Sequence, residues 1–126
     1  MWIERFKSGK PCHKIYEDDK TLAFMDIHPV NEGHVLVIPK NQIEFVWDLP
    51  DEDYQALAAT TKKVELRLRE LLPYTYVHQR IMGTDVPHAH VHLIPFDTTS
   101  QLTTPQRMDI EPDHVTLSEL ATLLSF

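Results

Sequence analysis

The sequence is poor in cysteine and has no long hydrophobic run. Cys12 is the only cysteine among its 126 residues. One cysteine excludes an intrachain disulfide framework, so a reducing cytoplasm is the expected compartment. No apolar stretch approaches the roughly 20 residues that a membrane-spanning helix requires, and the opening residues lack the pattern of a signal peptide. We therefore expect a cytoplasmic globular protein with no membrane partner.

Positive charge is also scarce. The formal net charge is −7, and after Leu72 there are two basic side chains, Arg80 and Arg107, against six acids. Proteins that grip DNA or RNA are usually basic, because phosphate neutralisation dominates their affinity. We therefore expect no nucleic-acid partner. A phosphate bound in the C-terminal half would have to be held by histidines and backbone N–H groups.

The most informative stretch runs from Val86 to Pro95, where three histidines alternate with small or apolar residues. Alternate side chains of a β-strand share one face. His88, His90 and His92 are therefore predicted to line one face of a strand whose other face is buried. A neutral imidazole is a nucleophile, and a protonated one donates to phosphate oxygens. The pattern favours phosphoryl or nucleotidyl transfer.

Two other interpretations compete with this one. In a metal site, two neighbouring histidines could share one ion, but the outer pair lies about 13 Å apart and the third would struggle to reach it. The chain has no CxxC pair to complete such a site, so we expect no metal and no cofactor. A solvent-facing strand is the second alternative, and regular alternation of three of the eight histidines argues against it.

The remaining pattern predicts more strands than helices. Strands are predicted at residues 12–16, 21–25, 34–39 and 74–81, before the histidine stretch. Short connections between them favour an antiparallel sheet in an α+β domain. Residues 1–11 are predicted to form an opening turn or short helix, and residues 97–115 are polar without a clear pattern.

Two helices are predicted from their capping residues and spacing. Asp48 is a candidate N-cap and Pro50 falls in the first turn of a long helix that ends before Pro73. Apolar residues recur along it at helical spacing, which indicates packing across a sheet. The capping box from Thr116 to Glu119 predicts a short C-terminal helix that runs through Leu124.

These motifs together resemble the histidine triad (HIT) superfamily. The resemblance covers residues 12–96 and is carried by His88-Ala89-His90-Val91-His92-Leu93-Ile94, by Gly33-His34-Val35-Leu36-Val37-Ile38-Pro39-Lys40 and by Ala23-Phe24-Met25-Asp26-Ile27-His28-Pro29. It implies a single domain over residues 1–126, with a five-stranded antiparallel sheet, one long helix packed on it and a short C-terminal helix. It also implies a homodimer whose sheets join.

The resemblance assigns roles to individual residues. His90 would attack an α-phosphorus, His92 would contact the phosphate and His88 would support the site by hydrogen bonding. His34 would orient the triad, and Asp26 would accept hydrogen bonds from ribose hydroxyls. The other predicted nucleotide contacts are Ile27, Phe24, Gly83, Asp85 and Val86.

The implied ligand is of the purine nucleoside monophosphate type. The implied activity is hydrolysis of a nucleoside 5'-phosphoramidate or a related nucleotidyl bond through a nucleotidyl-histidine intermediate. A dinucleoside polyphosphate hydrolase and a low-turnover nucleotide-binding regulatory module are the alternatives.

The chain departs from the family pattern in three places. Many members carry a CxxC near the N-terminus as part of a zinc site, and this chain has none there. After Pro39-Lys40 it reads Asn41-Gln42, where many members have a histidine in the second of these positions. The loop before the triad reads Gly83-Thr84-Asp85-Val86, with an unexpected acid. Asp85 would repel a phosphate, point away from it, or raise the pKa of a triad histidine.

Overall fold

The computed structural model describes residues 12–83 and 86–126, so the opening turn or short helix predicted at 1–11 lies outside the described residues. The strands are β1 (Lys14–Glu17), β2 (Thr21–Met25), β3 (Val35–Pro39), β4 (Tyr76–Arg80) and β5 (Val91–Phe96). The α-helices are α1 (Asp51–Leu71) and α2 (His114–Leu124), and short 3-10 turns span Val46–Asp48 and Thr99–Leu102. Neither α-helix of this part of the chain is both long and apolar enough to cross a membrane.

The strands form one antiparallel sheet in the order β1-β2-β3-β5-β4. The helix α1 packs on one face, against a buried cluster that includes Val35, Val37, Val91 and Leu93. A smaller buried cluster on the opposite face consists of Leu22, Phe24, Leu36 and Ile38. The predicted fold class is confirmed, and the two clusters show that β2 and β3 alternate between the two faces of the sheet.

The start of α1 differs from the sequence prediction. Asp48 closes the preceding 3-10 turn and does not cap α1, which begins at Asp51 with Pro50 at its N-cap position. Leu49 and Pro50 both have extended backbone, with ψ of 141° and 147°, so two extended residues separate Asp48 from the helix. The acidic first turn, from Asp51 to Asp53, lies at the positive end of the helix dipole as expected.

The capping box predicted at Thr116 is also wrong. The helix α2 begins at His114, and Asp113 is its N-cap. One carboxylate oxygen of Asp113 accepts the Thr116 backbone N–H at 3.1 Å, and the other accepts the Thr116 hydroxyl at 2.8 Å. Asp113 therefore caps the helix, because its ionised carboxylate accepts the Thr116 N–H that has no partner within the helix. Thr116 is the third residue of α2 and not its cap.

The loop between β2 and β3 depends on Gly33, which has φ +86°. A Cβ at this position would lie 2.6 Å from Cδ1 of Leu72, so another residue would meet both a strained backbone and a clash. The Asp26 N–H donates to the His34 carbonyl at 2.9 Å and closes the loop. The Asn31 amide donates to the Pro95 carbonyl at 3.0 Å and ties the loop to β5. His34, the residue directly before β3, is thereby held fully buried.

Two leucines on α1 test how far packing of this helix stabilises the fold. Leu68 is 1% exposed, whereas Leu66 is 53% exposed. Leu68→Ala removes buried methylene groups and leaves a cavity, so it should lower the free energy of unfolding by about 2–5 kcal/mol. Leu66→Ala, the matched control, should change it by less than about 0.5 kcal/mol. Urea denaturation measures both, and equal losses would contradict the observed packing.

Candidate active site

The histidines gather on the sheet face opposite α1. His92 lies within β5, but His88 and His90 precede its first residue, Val91. The prediction that all three share one strand is therefore corrected. The His88 N–H donates to the Val86 carbonyl at 2.8 Å, and the Ala89 N–H donates to the Ile43 carbonyl at 2.7 Å. These bonds bend the chain before the ladder begins, and all three histidines are buried.

A backbone donor fixes the protonation of His34. The Val30 N–H donates to Nδ1 of His34 at 3.0 Å, so the neutral ring carries its own hydrogen on Nε2. Nε2 of His34 lies 2.9 Å from Nδ1 of His92 and donates to it. His92, whose Nδ1 accepts, carries its hydrogen on Nε2. The two hydrogen bonds therefore run in one direction, from the Val30 N–H to His34 and from His34 to His92.

The pKa of His34 is consistent with this arrangement. Burial is the main cause that lowers this pKa from the ordinary value of 6.5 to about 3, and the charges of His92 and Arg80 contribute to the same shift. His34 is fully buried. It is therefore neutral at physiological pH, where the donor chain is intact.

His90 has the opposite tautomer. Its Nδ1 donates to the His88 carbonyl at 2.7 Å, so the neutral ring carries its lone pair on Nε2. The ring meets that of His92 edge to face, with centroids 5.0 Å apart. The His88 ring donates through Nε2 to the Pro39 carbonyl at 2.8 Å. Burial lowers the pKa of His88, an effect that this bond partly opposes.

Asp26 lies beside His34 and is 7% exposed. One of its oxygens accepts the His28 N–H at 2.8 Å. The other lies 3.5 Å from Nε2 of His34 and accepts the Gln106 side-chain amide at 2.9 Å. The same amide nitrogen donates to the His28 carbonyl at 2.8 Å. Sequence reasoning missed Gln106, because residues 97–115 show no periodic pattern that would bring it to this loop.

Phe24 and Ile27, two of the predicted nucleotide contacts, lie in different surroundings. Phe24 stands opposite Leu36, which stands opposite His92, so all three share the histidine face. Ile27 packs against the core cluster on the α1 side. It also lines a cavity of about 240 Å³ that is bounded by the first turns of α2. Asp26 and His34 line the same cavity, so Ile27 shares it with two predicted site residues, whereas Phe24 lies on the histidine face. The contacts of Phe24 and Ile27 with a nucleotide stay predictions.

The loop before the triad is described only in part. Gly83 has φ +81°, and Val86 accepts a hydrogen bond from the His88 N–H. Thr84 and Asp85 lie outside the described residues, so the predicted contacts of Gly83, Asp85 and Val86 with a nucleotide stay predictions.

Arg80 is a second residue that sequence reasoning missed as a site residue. It stands directly opposite His92 in the β4–β5 ladder, whereas His78 stands opposite Ile94. The His78 ring meets the Phe96 ring edge to face, with centroids 6.4 Å apart. The predicted strand at 74–81 already placed the two residues on one face, but the register that aligns Arg80 with His92 could not be obtained from alternation.

One cluster of the described residues has the composition of a metal site. Ligand atoms of Asp26, His34 and His92 lie within 4.8 Å of one another. An ion there would need the lone pair of the His34 nitrogen that faces the other two residues. That nitrogen carries the hydrogen, because Nδ1 accepts the Val30 N–H. The donor set therefore fits a hydrogen-bond relay and does not fit a metal ion.

The depressed pKa of His34 has a measurable effect on stability. Between pH 6.5 and about 3 the unfolded chain protonates this ring while the folded protein does not. The free energy of unfolding should therefore fall with falling pH in that window, by up to about 1.4 kcal/mol per pH unit. His34→Asn should reduce the slope there, and the two stability curves should run parallel above pH 6.5.

Urea denaturation across the pH range gives both slopes. Nitrogen NMR of the wild-type imidazoles supplies a check that does not require the variant to fold, since the His34 ring should stay neutral down to about pH 4. A ring that titrates near 6.5 would overturn the assignment.

Comparison with known proteins gives a consistent result. A family model described as the HIT domain matches residues 7–99. An uncharacterized HIT-like protein of Methanocaldococcus jannaschii is 38% identical over 89 residues, which are 68% of this chain and 69% of that protein. The adenosine 5'-monophosphoramidase hnt1 of Schizosaccharomyces pombe is 37% identical over 93 residues, which are 71% of this chain and 68% of the yeast protein.

Solved structures agree with these matches. A HIT-like protein from Bartonella henselae superposes with a TM-score of 0.82 at 25% identity, covering 96% of this chain and 90% of the other. A Zn-bound histidine triad family protein from Mycobacterium smegmatis gives 0.79 at 27% identity, covering 98% and 88%. With the family model matching most of the chain and the same sheet present in solved relatives, this protein belongs to the HIT family.

Proposed function

We propose that this protein hydrolyses a nucleoside 5'-phosphoramidate or a related nucleotidyl bond, with His90 as the nucleophile. The observation that carries the proposal is the 2.7 Å bond from Nδ1 of His90 to the His88 carbonyl, which directs the lone pair to Nε2. A nucleophilic imidazole must present that lone pair to the reacting phosphorus. A relative named adenosine 5'-monophosphoramidase supports the reaction class.

The proposed reaction has two steps. In the first, Nε2 of His90 bonds to the α-phosphorus, and the phosphorus–nitrogen bond to the leaving amine breaks. The amine departs with the bonding electrons and takes up a proton from solvent. In the second, water attacks the phosphorus of the nucleotidyl-histidine and releases a proton to solvent, the bond from phosphorus to Nε2 breaks, the nucleoside monophosphate leaves, and Nε2 recovers its lone pair. His92 would donate its Nε2–H to a phosphate oxygen, because His34 occupies its other nitrogen.

The proposed ligand is a purine nucleoside monophosphate that lies along the histidine face. The Asp26 carboxylate would accept hydrogen bonds from the ribose hydroxyls, and the Phe24 ring, on the same face, would lie against the base. The predicted homodimer and the predicted cytoplasmic location stay predictions.

The role of His90 can be tested by His90→Ala. The variant should release AMP from adenosine 5'-phosphoramidate at less than about a thousandth of the wild-type rate, because no covalent intermediate can form. The wild type, quenched in mid-reaction, should carry an acid-labile adenylyl group that the variant lacks. His78→Ala removes an imidazole on the edge strand and should keep both.

The outcomes separate the enzyme from its alternatives. Undiminished turnover by His90→Ala would remove His90 as the nucleophile. A wild type that binds AMP but neither turns over nor forms the adduct would be a low-turnover nucleotide-binding module. Faster turnover of a dinucleoside polyphosphate than of the phosphoramidate would favour the polyphosphate hydrolase.

The role of Asp26 can be tested with sugar analogues. The wild type should bind AMP more tightly than 2',3'-dideoxy-AMP, because the carboxylate accepts from the vicinal hydroxyls. Asp26→Asn should lose about tenfold in AMP affinity and little in dideoxy-AMP affinity, since the amide keeps one acceptor and loses the charge. Calorimetric titration gives the four constants. An unchanged ratio between the two ligands would exclude Asp26 from ribose binding.

A further inference from the structure

A row of four side chains crosses the histidine face of the sheet. Phe24 pairs with Leu36, Leu36 with His92, and His92 with Arg80, each pair being directly opposite in an antiparallel ladder. Directly opposed residues share a face, so the row lies on one side of four adjacent strands. With about 4.8 Å between strands, it spans about 14 Å. Its chemistry changes from an aromatic ring, through an aliphatic side chain and an imidazole, to a guanidinium.

Arg80 ends this row with an unmatched polar group. Its Nε is buried, and it has no hydrogen-bond partner among residues 12–83 and 86–126. A buried guanidinium N–H without a partner is costly, so natural proteins usually pair it with a carboxylate, a carbonyl or a ligand anion. Arg107, the other arginine after Leu72, is exposed, and its Nε and Nη2 donate to the two carboxylate oxygens of Asp109.

The charge of Arg80 reaches the histidine cluster. It lowers the pKa of His34, which lies on the far side of His92. A cation one strand away from His92 has two effects on this site. It lowers the pKa of His34, which disfavours protonation of that ring, and it offers the positive charge that a phosphate requires.

We propose that Arg80 is the phosphate-binding cation of this site and confers preference for a nucleotide over a nucleoside. The proposal rests on the proposed function for the identity of the ligand. The guanidinium, one strand beyond His92, donates to non-bridging oxygens of the α-phosphate while the ribose occupies Asp26 at the other side of the histidines. A chain with a net charge of −7 would thereby bind a phosphate through one arginine together with the imidazoles of the site.

The direction of the row supports this assignment over a purely structural one. Base, ribose and phosphate follow one another in a nucleotide. Phe24 and Asp26 lie on the β2 side of His92, whereas Arg80 lies on its β4 side, so a base at Phe24 and a ribose at Asp26 leave the phosphate near His92 and Arg80. The planar fork of an arginine suits a phosphate, because two parallel N–H groups meet two oxygens. His78, on the same face of β4, meets the Phe96 ring edge to face, whereas Nε of Arg80 has no hydrogen-bond partner among the described residues.

The test compares binding of AMP, adenosine and inorganic pyrophosphate by calorimetric titration. Arg80→Met keeps an unbranched apolar stem, removes the guanidinium with its charge, and should weaken AMP binding by about tenfold to about a hundredfold. Adenosine binding should be unchanged, because adenosine has no phosphate. Arg80→Lys should recover part of the AMP affinity, and the matched control His78→Gln should bind all three probes like the wild type.

The ratio of AMP affinity to adenosine affinity identifies the role. If Arg80→Met loses affinity for AMP and for adenosine equally, the role of Arg80 is structural and the proposal is overturned. If its affinity for AMP is unchanged, the proposal is also overturned, but the proposed function is not affected. If the wild type binds pyrophosphate but not AMP, and Arg80→Met loses pyrophosphate, Arg80 keeps its role and the nucleotide assignment fails. A wild type that binds none of the probes overturns both.

Stability of the variants is checked by urea denaturation. If Arg80→Met does not fold, Arg80→Lys carries the test: it keeps the charge and removes the fork, so AMP affinity should fall while adenosine affinity holds. An Arg80→Lys protein that binds AMP like the wild type would then overturn the fork-dependent contact. Added salt should weaken AMP binding by the wild type more than adenosine binding, because it screens the charge.

Discussion

The bond from the Val30 N–H to Nδ1 of His34 determines the protonation of the whole histidine cluster. A backbone N–H cannot lose its hydrogen or exchange roles with its acceptor, whereas two imidazoles facing each other can. With this donor in place, the hydrogen between His34 and His92 has a defined owner, and His92 presents a donor to the face of the sheet. The turn between Val30 and His34 contains Gly33, which has a positive φ and leaves room for the Leu72 side chain where a Cβ would lie.

A second main-chain group gives His90 the opposite assignment. The His88 carbonyl takes the hydrogen of His90 at Nδ1, while the Val30 N–H takes the lone pair of His34 at the equivalent atom. The same side chain can therefore serve as a donor relay at one position and as a base or nucleophile at another. The difference comes from which backbone group each ring meets, and it requires no charged neighbour.

Much of the fold could be predicted from local pattern. The β-branched run of β3 and the periodic apolar residues of α1 identify their elements because each buries one continuous face. The helix starts were wrong at Asp48 and Thr116, since several acids and hydroxyls compete within a few residues and the winner depends on backbone geometry. The site was predicted in outline through its histidines and Asp26.

Two site residues escaped prediction for different physical reasons. Arg80 gains its position from strand register, which is set by pairing between β4 and β5 and leaves no trace in the alternation of either strand. Gln106 reaches Asp26 from 80 residues away through a polar segment with no periodic pattern. Contacts of this kind depend on tertiary packing between segments that are distant in the sequence, and the local sequence pattern does not determine them.

The Gln106 contact couples the Asp26 carboxylate to the segment around residue 106. Both oxygens of this carboxylate already accept hydrogen bonds, one from the His28 N–H and one from the Gln106 amide. The proposed diol would have to share the second oxygen with that amide or displace it, so its affinity would report a difference between two sets of hydrogen bonds. The same amide nitrogen donates to the His28 carbonyl. Where the diol displaces the amide, occupancy of the carboxylate and attachment of the segment around Gln106 would be thermodynamically coupled, and each would shift with the other.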